Sequence, residues 1–301
     1  MFDVLNKEKL KNKFINNSKI TVLRPCRNDI DIAVKWTIDE NWNPGINDAD
    51  IYYQTDPSGF FMGVYNDEPI GFVFSIFYEN NFAVAGVFIV KKEFRNKLLG
   101  AELGWKFLAH IKDRNISINA VKNKVKFYGF LGFKPAFNIN RYCYVKQHDL
   151  KISNLSDDYK IIPIDNNFIY FNKIINYDRC CFPADRSKLI RLWIFQSQSF
   201  SFCVKDSENN ICGYGVLKKA FCGYRFEPLY ADNFETAEYI FSYAVNFIKI
   251  GEPVFMDIPE NNPAALLLAK KYNFKNTFSM TRMYNKNEPE IDKNKIFGLW
   301  E

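Results

Sequence analysis

The sequence has few of the residues that most hydrolytic and metal-dependent mechanisms require. Its 301 residues include only two histidines, His110 and His148, and neither lies in a motif. This scarcity argues against Ser-His, Cys-His and His-metal chemistry. The chain also lacks a G-x-S-x-G elbow, a P-loop and a G-x-G-x-x-G fingerprint, so nothing indicates a hydrolase, an NTPase or a dinucleotide-binding enzyme.

Other missing features bear on the cellular location of the protein. The seven cysteines are odd in number and form no C-x-x-C pair, so they indicate neither a disulfide framework nor a zinc site. The first residues lack the apolar core and cleavage site of a signal peptide, and no stretch is long enough to span a bilayer. We therefore expect a cytoplasmic protein without a membrane partner.

The net charge limits the classes of partner that we expect, and the chain length indicates the number of domains. The net charge of +6 comes from lysines and arginines scattered among acids, so we expect no nucleic-acid partner and favour an anionic co-substrate. At 301 residues and 48% hydrophobic content, the chain can bury sizeable cores, and its length favours two domains.

An internal repeat supports two domains. Gly71, followed by an aromatic residue, has its counterpart in Gly213, and the spacing F-K-x-x-F-x-x-x-R that ends at Arg141 recurs with its end at Arg282. The offset from Gly71 to Gly213 and the offset from Arg141 to Arg282 are nearly the same. Matches in the same order predict a duplicated unit.

Each half alternates strand and helix patterns, which predicts an α/β (α+β) fold with a mixed sheet flanked by helices, used twice. We predict domains at residues 1–150 and 151–301, with a polar linker around 153–158. The first half is expected to end in a helix over 122–131 and a closing strand pair up to residue 145. In the second half, helices are expected near 166–176 and 185–195.

The segment V-K-K-E-F-R-N-K-L-L-G-A-E-L, residues 90–103, resembles the acetyl-CoA-binding turn of the GNAT (GCN5-related) N-acetyltransferases. A helix N-terminus with unpaired N–H groups suits a pyrophosphate. Leu98 stands where the family has its first loop glycine, and a positive φ there would cost about 1 to 2 kcal/mol. An ordinary strand-turn-helix with a basic loop is the alternative. The resemblance implies these acetyl-CoA-binding residues: Phe88, Ile89, Val90, Arg95, Asn96, Lys97, Leu98, Leu99, Gly100 and Ala101.

The segment F-Y-G-F-L-G-F, residues 127–133, is similar to the family's F-Y-x-x-x-G-F helix end. The resemblance implies that Tyr128 is a general acid that protonates the departing thiolate, since a phenol with a pKa near 10 can donate a proton there. A core aromatic is the alternative interpretation.

The segment E-N-W-N-P-G, residues 40–45, resembles the E-G-W-N-P-G segment of a tandem GNAT subgroup, which implies a loop bordering the acceptor pocket. Trp42 and Asn43 would line that pocket. Glu40, the candidate base, or Asp48 would hold a cationic amine or accept its proton. A rigid Trp-Pro loop with helix-capping acids is the alternative.

The second half resembles a degenerate domain of the same subgroup. Pro228 is expected at the position of the phosphate loop, and Ala269 stands where the first half has Tyr128. We therefore expect this half to be a scaffold or a wall of the acceptor site.

The leading hypothesis is an acyl-CoA-dependent N-acyltransferase that transfers an acetyl group from acetyl-CoA to the primary amine of a small molecule. Direct attack in a ternary complex is favoured because no cysteine lies in the motifs. One alternative is a non-catalytic acyl-CoA-binding regulatory protein. Another is aminoacyl transfer from charged tRNA, which would require a basic groove.

Overall fold

The computed structural model describes residues 19–95, 99–153 and 155–300. They form two compact units. The first contains the described residues up to Pro44, with Asp48–Phe77 and Asn81–Ile116, and the second contains Gly45–Asn47, Tyr78–Asn80 and the residues from Ser117 onward. Within the described ranges, no helix combines the length and the apolar character needed to cross a membrane.

The first unit has four antiparallel strands, paired in chain order: β1 (Thr21–Leu23), β2 (Phe60–Tyr65), β3 (Glu68–Phe77) and β4 (Phe82–Val90). Its helices are α1 (Arg27–Asp39), α2 (Asp48–Thr55) and α3 (Leu99–Ile111). Strands β2 and β3 form a hairpin. Its two turn residues, Asn66 and Asp67, have φ values of 48° and 62°, which suit a tight hairpin turn.

Helix α3 carries an apolar stripe. Its members recur at every fourth position and are all buried: Leu99, Leu103, Phe107 and Ile111. Fourfold spacing places them on one helix face, so they form the side that the helix buries.

The second unit is a mixed sheet flanked by helices, as predicted. Its strand order is β5-β12-β6-β11-β10-β9-β8-β7, and β13 pairs with β10. The β10–β11 pair is parallel, and the other pairs are antiparallel. The strands are β5 (Asn115–Val121), β6 (Lys134–Val145), β7 (Lys160–Pro163), β8 (Ser199–Lys205), β9 (Ile211–Lys219), β10 (Tyr224–Ala231), β11 (Pro253–Pro259), β12 (Lys275–Tyr284) and β13 (Ile296–Gly298). The helices are α4 (Val125–Phe130), α5 (Phe171–Cys181), α6 (Ser187–Ile194), α7 (Phe234–Ala244) and α8 (Pro263–Lys271).

One prediction about the elements is wrong, and another has the wrong bounds. The expected closing strand pair is one 12-residue strand, β6, which pairs with β11 and β12. Two neighbouring paired strands were expected, whereas the partners of β6 lie far along the chain. The helix predicted near 166–176 is α5, and it begins at Phe171.

The internal repeat is visible in the pairing of β6 with β12. Ile139 pairs with Met280, which is its own counterpart in the repeat. Residues on either side of this pair therefore lie opposite residues close to their own counterparts. Arg141 lies opposite Phe278, and Arg282 lies opposite Phe137. The two copies therefore meet around a local two-fold axis within the second unit. The second unit also contains residues 117–145. The domain boundary after residue 150 rests on the sequence repeat and stays a prediction.

Candidate functional site

Strand β4 carries a bulge at the predicted donor-binding residues. On β3, Phe72 and Phe74 are two residues apart, but their partners on β4, Ile89 and Gly86, are three apart. The extra length includes Val87, whose φ is 49°. A β-branched residue rarely adopts this conformation, and a bulge leaves backbone groups outside the ladder. Nothing in the sequence around Val87 signals this conformation.

Helix α3 packs closely on the end of β4 through two glycines on one face. A Cβ on Gly100 would lie 2.8 Å from Val90 Cγ2, and one on Gly104 would lie 3.3 Å from Phe88 Cζ. Gly100 thus lies close to the strand, and Gly104 is a second close-approach residue that the motif does not include. Both glycines keep the helix near the strand segment from Phe88 to Val90.

Arg95 is engaged within the protein. Its Nε donates to the carbonyl oxygen of Val90 at 2.7 Å, and its Nη2 donates to Glu40 Oε1 at 2.8 Å. The guanidinium therefore holds the end of β4 and the end of α1 together. The neighbouring candidates Asn96, Lys97 and Leu98 lie outside the described residues, so the positive φ expected at Leu98 stays a prediction.

Glu40 links the expected acceptor loop to the expected donor turn. Besides Arg95, Lys92 Nζ lies 4.0 Å from Glu40 Oε1. Asp48, the other candidate acid, lies in the first turn of α2, where the helix dipole favours a negative charge.

The Trp42 loop is fixed by the end of α1. The Trp42 amide donates to Thr37 O at 2.9 Å, and the Asn41 amide donates to Ile38 O at 2.9 Å, which is the hydrogen-bond pattern of a Schellman motif. Asn41 has a φ of 59°, where glycine is most favoured, and this chain has asparagine at that position of the segment. Asn43 also has a positive φ, 50°. Trp42 is half-buried.

Tyr128 lies in α4 of the second unit, with Phe127 and Phe133 beside its ring at centroid distances of 5.4 and 5.8 Å. Burial raises the pKa of its phenol to about 12. The described ranges contain no hydrogen-bond partner for its hydroxyl. Its backbone carbonyl accepts the amide of Phe133 at 3.0 Å after a turn at Gly132, where φ is 96°. The hydroxyl therefore stays protonated at neutral pH and can donate.

The second unit differs at the corresponding positions, and one expectation is corrected. Pro228 does not occupy a phosphate loop; it lies within β10, at a register shift between Phe226 and Leu229. The error came from equating strand residues with turn residues. At the offset that relates Arg141 to Arg282, the counterpart of Pro228 is Val87, in the first copy's bulge.

The true turn of the second copy, between β10 and α7, is already occupied by protein groups. The Asn233 side chain accepts from the Thr236 amide at 2.9 Å, and the Asp232 carboxylate accepts from Tyr177 Oη at 2.9 Å. An acid and a capping side chain at this helix N-terminus disfavour an anion. Ala269, at the position of the tyrosine, is buried and has no acidic group.

Comparisons with known proteins agree with this architecture. A family model described as "Acetyltransferase (GNAT) family" matches residues 29–133, and one described as "Acetyltransferase (GNAT) domain" matches residues 174–298. Holothin acyltransferase from Pseudoalteromonas sp. is 26% identical over 268 residues, which are 89% of this chain and 88% of that protein.

Solved structures show the same fold. An acetyltransferase-like protein from Pyrococcus horikoshii has a TM-score of 0.78 and 21% identity, covering 94% of this chain and 95% of its own. A tandem GNAT protein from the clavulanic acid biosynthesis pathway has a TM-score of 0.65 and 10% identity, covering 90% of this chain and 100% of its own.

Proposed function

The chain belongs to the GNAT family of N-acyltransferases, and from this premise we propose that it transfers an acetyl group from acetyl-CoA to the primary amine of a small molecule. The acceptor attacks directly in a ternary complex. The protein works in the cytoplasm, without a nucleic-acid or membrane partner. Residues 1–150 contain the catalytic domain.

The positive φ of Val87 is the observation that carries this proposal. Such a conformation costs about 1 to 3 kcal/mol and persists mainly where backbone groups serve a function. It lies directly before Phe88, Ile89 and Val90, the residues implied to bind the pantetheine arm. Their backbone N–H groups are suited to hold the arm and to polarise the thioester carbonyl.

The other residues implied to bind acetyl-CoA are supported by different observations. Leu99, Gly100 and Ala101 form the first turn of α3, whose N–H groups suit a pyrophosphate. Arg95 is proposed to position Val90 and Glu40 through its hydrogen bonds and to contribute positive charge near that turn. Asn96, Lys97 and Leu98 keep the role that the resemblance implies.

The proposed chemistry forms one bond and breaks another. The amine nitrogen attacks the thioester carbon, the carbon–sulfur bond breaks, and the nitrogen loses a proton to a carboxylate or water. The thiolate takes a proton, for which Tyr128 is the proposed donor because its hydroxyl is protonated and makes no hydrogen bond with the described residues. Glu40 is the proposed base, with Trp42, Asn43 and Asp48 as acceptor contacts.

A non-catalytic acyl-CoA-binding protein is the second candidate, and the engagement of Arg95 by Glu40 favours it. Thiol release from acetyl-CoA separates the two functions, measured across arylalkylamines, polyamines, amino acids, aminoglycosides and holothin. Turnover with any amine supports the enzyme. Saturable acetyl-CoA binding without turnover on the whole panel supports the second candidate.

The role of Glu40 is tested with Glu40→Gln, and Glu68→Gln is the matched control because Glu68 also pairs with a lysine, Lys91, in the same unit. A base predicts loss of kcat and of the acidic limb of the pH profile for Glu40→Gln. An unchanged pH profile with a raised acetyl-CoA KM would instead make Glu40 a positioning residue for Arg95. The control should keep both values.

A further inference from the structure

The C-terminal segment of the chain lies in a slot between two strands of the second unit. Strands β10 and β11 are parallel and pair only at their beginnings, where Tyr224 faces Val254 and Arg225 faces Phe255. Farther along, β13 takes the place beside β10, with Gly298 opposite Leu229 and Ile296 opposite Tyr230. The Leu299 amide donates to Asp257 O of β11 at 2.7 Å.

The slot corresponds to the expected donor site of the first copy. Leu229 and Tyr230 are the counterparts of Phe88 and Ile89, at the same offset by which Arg282 follows Arg141. Both copies have a register irregularity just before these positions. The strand edge of the second copy that would face a donor is therefore paired with the chain's own residues.

The segment is held at the turn before α7 as well. Lys295 Nζ donates to Asp232 Oδ1 at 2.7 Å, at the turn where a phosphate-binding site would need free donors. Asn262 caps α8 through its Oδ1, and its Nδ2 donates to the carbonyl oxygens of Asn294 and Ile296, both at 2.9 Å. One side chain thus fixes a helix start and two peptide groups of the segment.

The far end is anchored in the core. Trp300 is buried, its ring lies 4.6 Å from that of Trp193, and its carbonyl accepts Arg186 Nη1 at 3.2 Å. Ile296, Phe297 and Leu299 are buried too. Burial of these four apolar side chains stabilises the bound position of the segment.

We propose that residues 292–300 are a built-in occupant of the second unit's former donor slot, and that they close this unit to acyl-CoA. The occupancy is independent of the proposed function. Its consequence, one acyl-donor site per chain, rests on that function.

Strand complementation tests the proposal. A chain ending at Ile291 is mixed with a synthetic peptide of residues 292–301, or with the same peptide carrying Gly298→Val. A Cβ at Gly298 would lie 2.9 Å from Met256 Cγ and 3.0 Å from Phe226 O, so the variant peptide should not seat. We expect the natural peptide to bind once per chain, about tenfold or more tighter than the variant, and to raise the melting temperature. A folded, shortened chain that ignores the peptide, or binds both peptides alike, overturns the proposal.

Hydrogen exchange on the full chain keeps the test decisive if the shortened chain does not fold. The Leu299 amide should be protected like the core of β10, and Gly298→Val should remove that protection. Exchange at the rate of an unstructured terminus in the natural chain contradicts the proposal. Neither measurement requires acyl-CoA. Failure of the enzymatic proposal would appear in the thiol-release assay and would leave both measurements unchanged.

Discussion

Arg141 donates to both carboxylate oxygens of Asp257, from Nε at 2.7 Å and from Nη2 at 2.8 Å. Its counterpart Arg282 donates from Nε to Asn119 Oδ1 at 2.8 Å. The duplicated arginine thus has a charged partner in one copy and a neutral partner in the other. Burial alone would raise the pKa of Asp257, but the attraction of Arg141 and Arg225 lowers it below its usual value.

This difference predicts unequal costs of substitution. Asp257→Asn removes the carboxylate charge that pairs with the buried Arg141, while Arg225 keeps Glu227 as a partner, so we expect a loss of about 3 to 5 kcal/mol in the free energy of unfolding. Asn119→Ala removes a neutral partner and should cost about 1 to 3 kcal/mol. Urea unfolding of both variants measures the difference. Equal losses would show that the charge of Asp257 is unimportant.

The sequence predicted the equivalence of the two arginines but not their partners. Their spacing after two phenylalanines predicted their equivalence, because a duplication preserves spacing. Their partners could not be predicted, since Asp257 lies 116 residues from Arg141 and only the pairing of β6 with β11 joins them. The same long-range pairing made the closing strand pair at the end of the first half a wrong prediction.

At the candidate site, the backbone was less predictable than the motifs. Asn41 carries a signal, because asparagine tolerates a left-handed conformation where glycine is otherwise favoured. Val87 carries none, because valine normally avoids that conformation. The pair of Glu40 with Arg95 was also missed, since charges in two separate loops do not indicate which partner each one takes. Strand β13 has only three residues, too few for a periodic pattern.

The two glycines of α3 predict opposite responses to alanine. Replacing a helical glycine by alanine stabilises by about 1 kcal/mol when space allows. Gly104→Ala should be neutral or stabilising, because its Cβ would meet a ring atom of Phe88 at 3.3 Å, which can shift slightly. Gly100→Ala should destabilise by about 1 to 3 kcal/mol, because its Cβ would lie 2.8 Å from Val90 Cγ2. Thermal unfolding of the two variants decides this, and a stabilised Gly100→Ala would show that β4 and α3 can separate.

His110 predicts a pH dependence of stability. Burial, and then the charge of Arg24, whose Nη2 lies 3.1 Å from His110 Nδ1, lower the pKa of the imidazole below 6.5. The unfolded chain therefore binds a proton more readily than the folded chain, and stability should fall as the pH decreases below about 6.5. His110→Phe should flatten this slope, measured by urea unfolding between pH 5 and 7.5. His148→Gln, at an exposed histidine, is the control and should keep it.

Tyr128→Phe addresses the proposed proton donor. The substitution removes one oxygen and keeps the ring between Phe127 and Phe133, so packing and acetyl-CoA affinity should hardly change. If the hydroxyl protonates the thiolate, turnover should fall by about 10²- to 10⁴-fold, or about 3 to 5 kcal/mol of barrier. Steady-state kinetics, the acetyl-CoA dissociation constant and the melting temperature are measured on the same preparation.

The raised pKa of Tyr128 sharpens this test. With a pKa of about 12, the phenol stays protonated throughout the neutral range, so its own ionisation should leave no basic limb in the pH profile below about pH 10. Poor leaving groups depend most on the acid, since they need the proton most. An acyl donor with a more acidic thiol should therefore lose less rate in Tyr128→Phe than acetyl-CoA loses. Equal losses for both donors would assign the tyrosine to positioning, and unchanged turnover with a lower melting temperature would make it a packing residue.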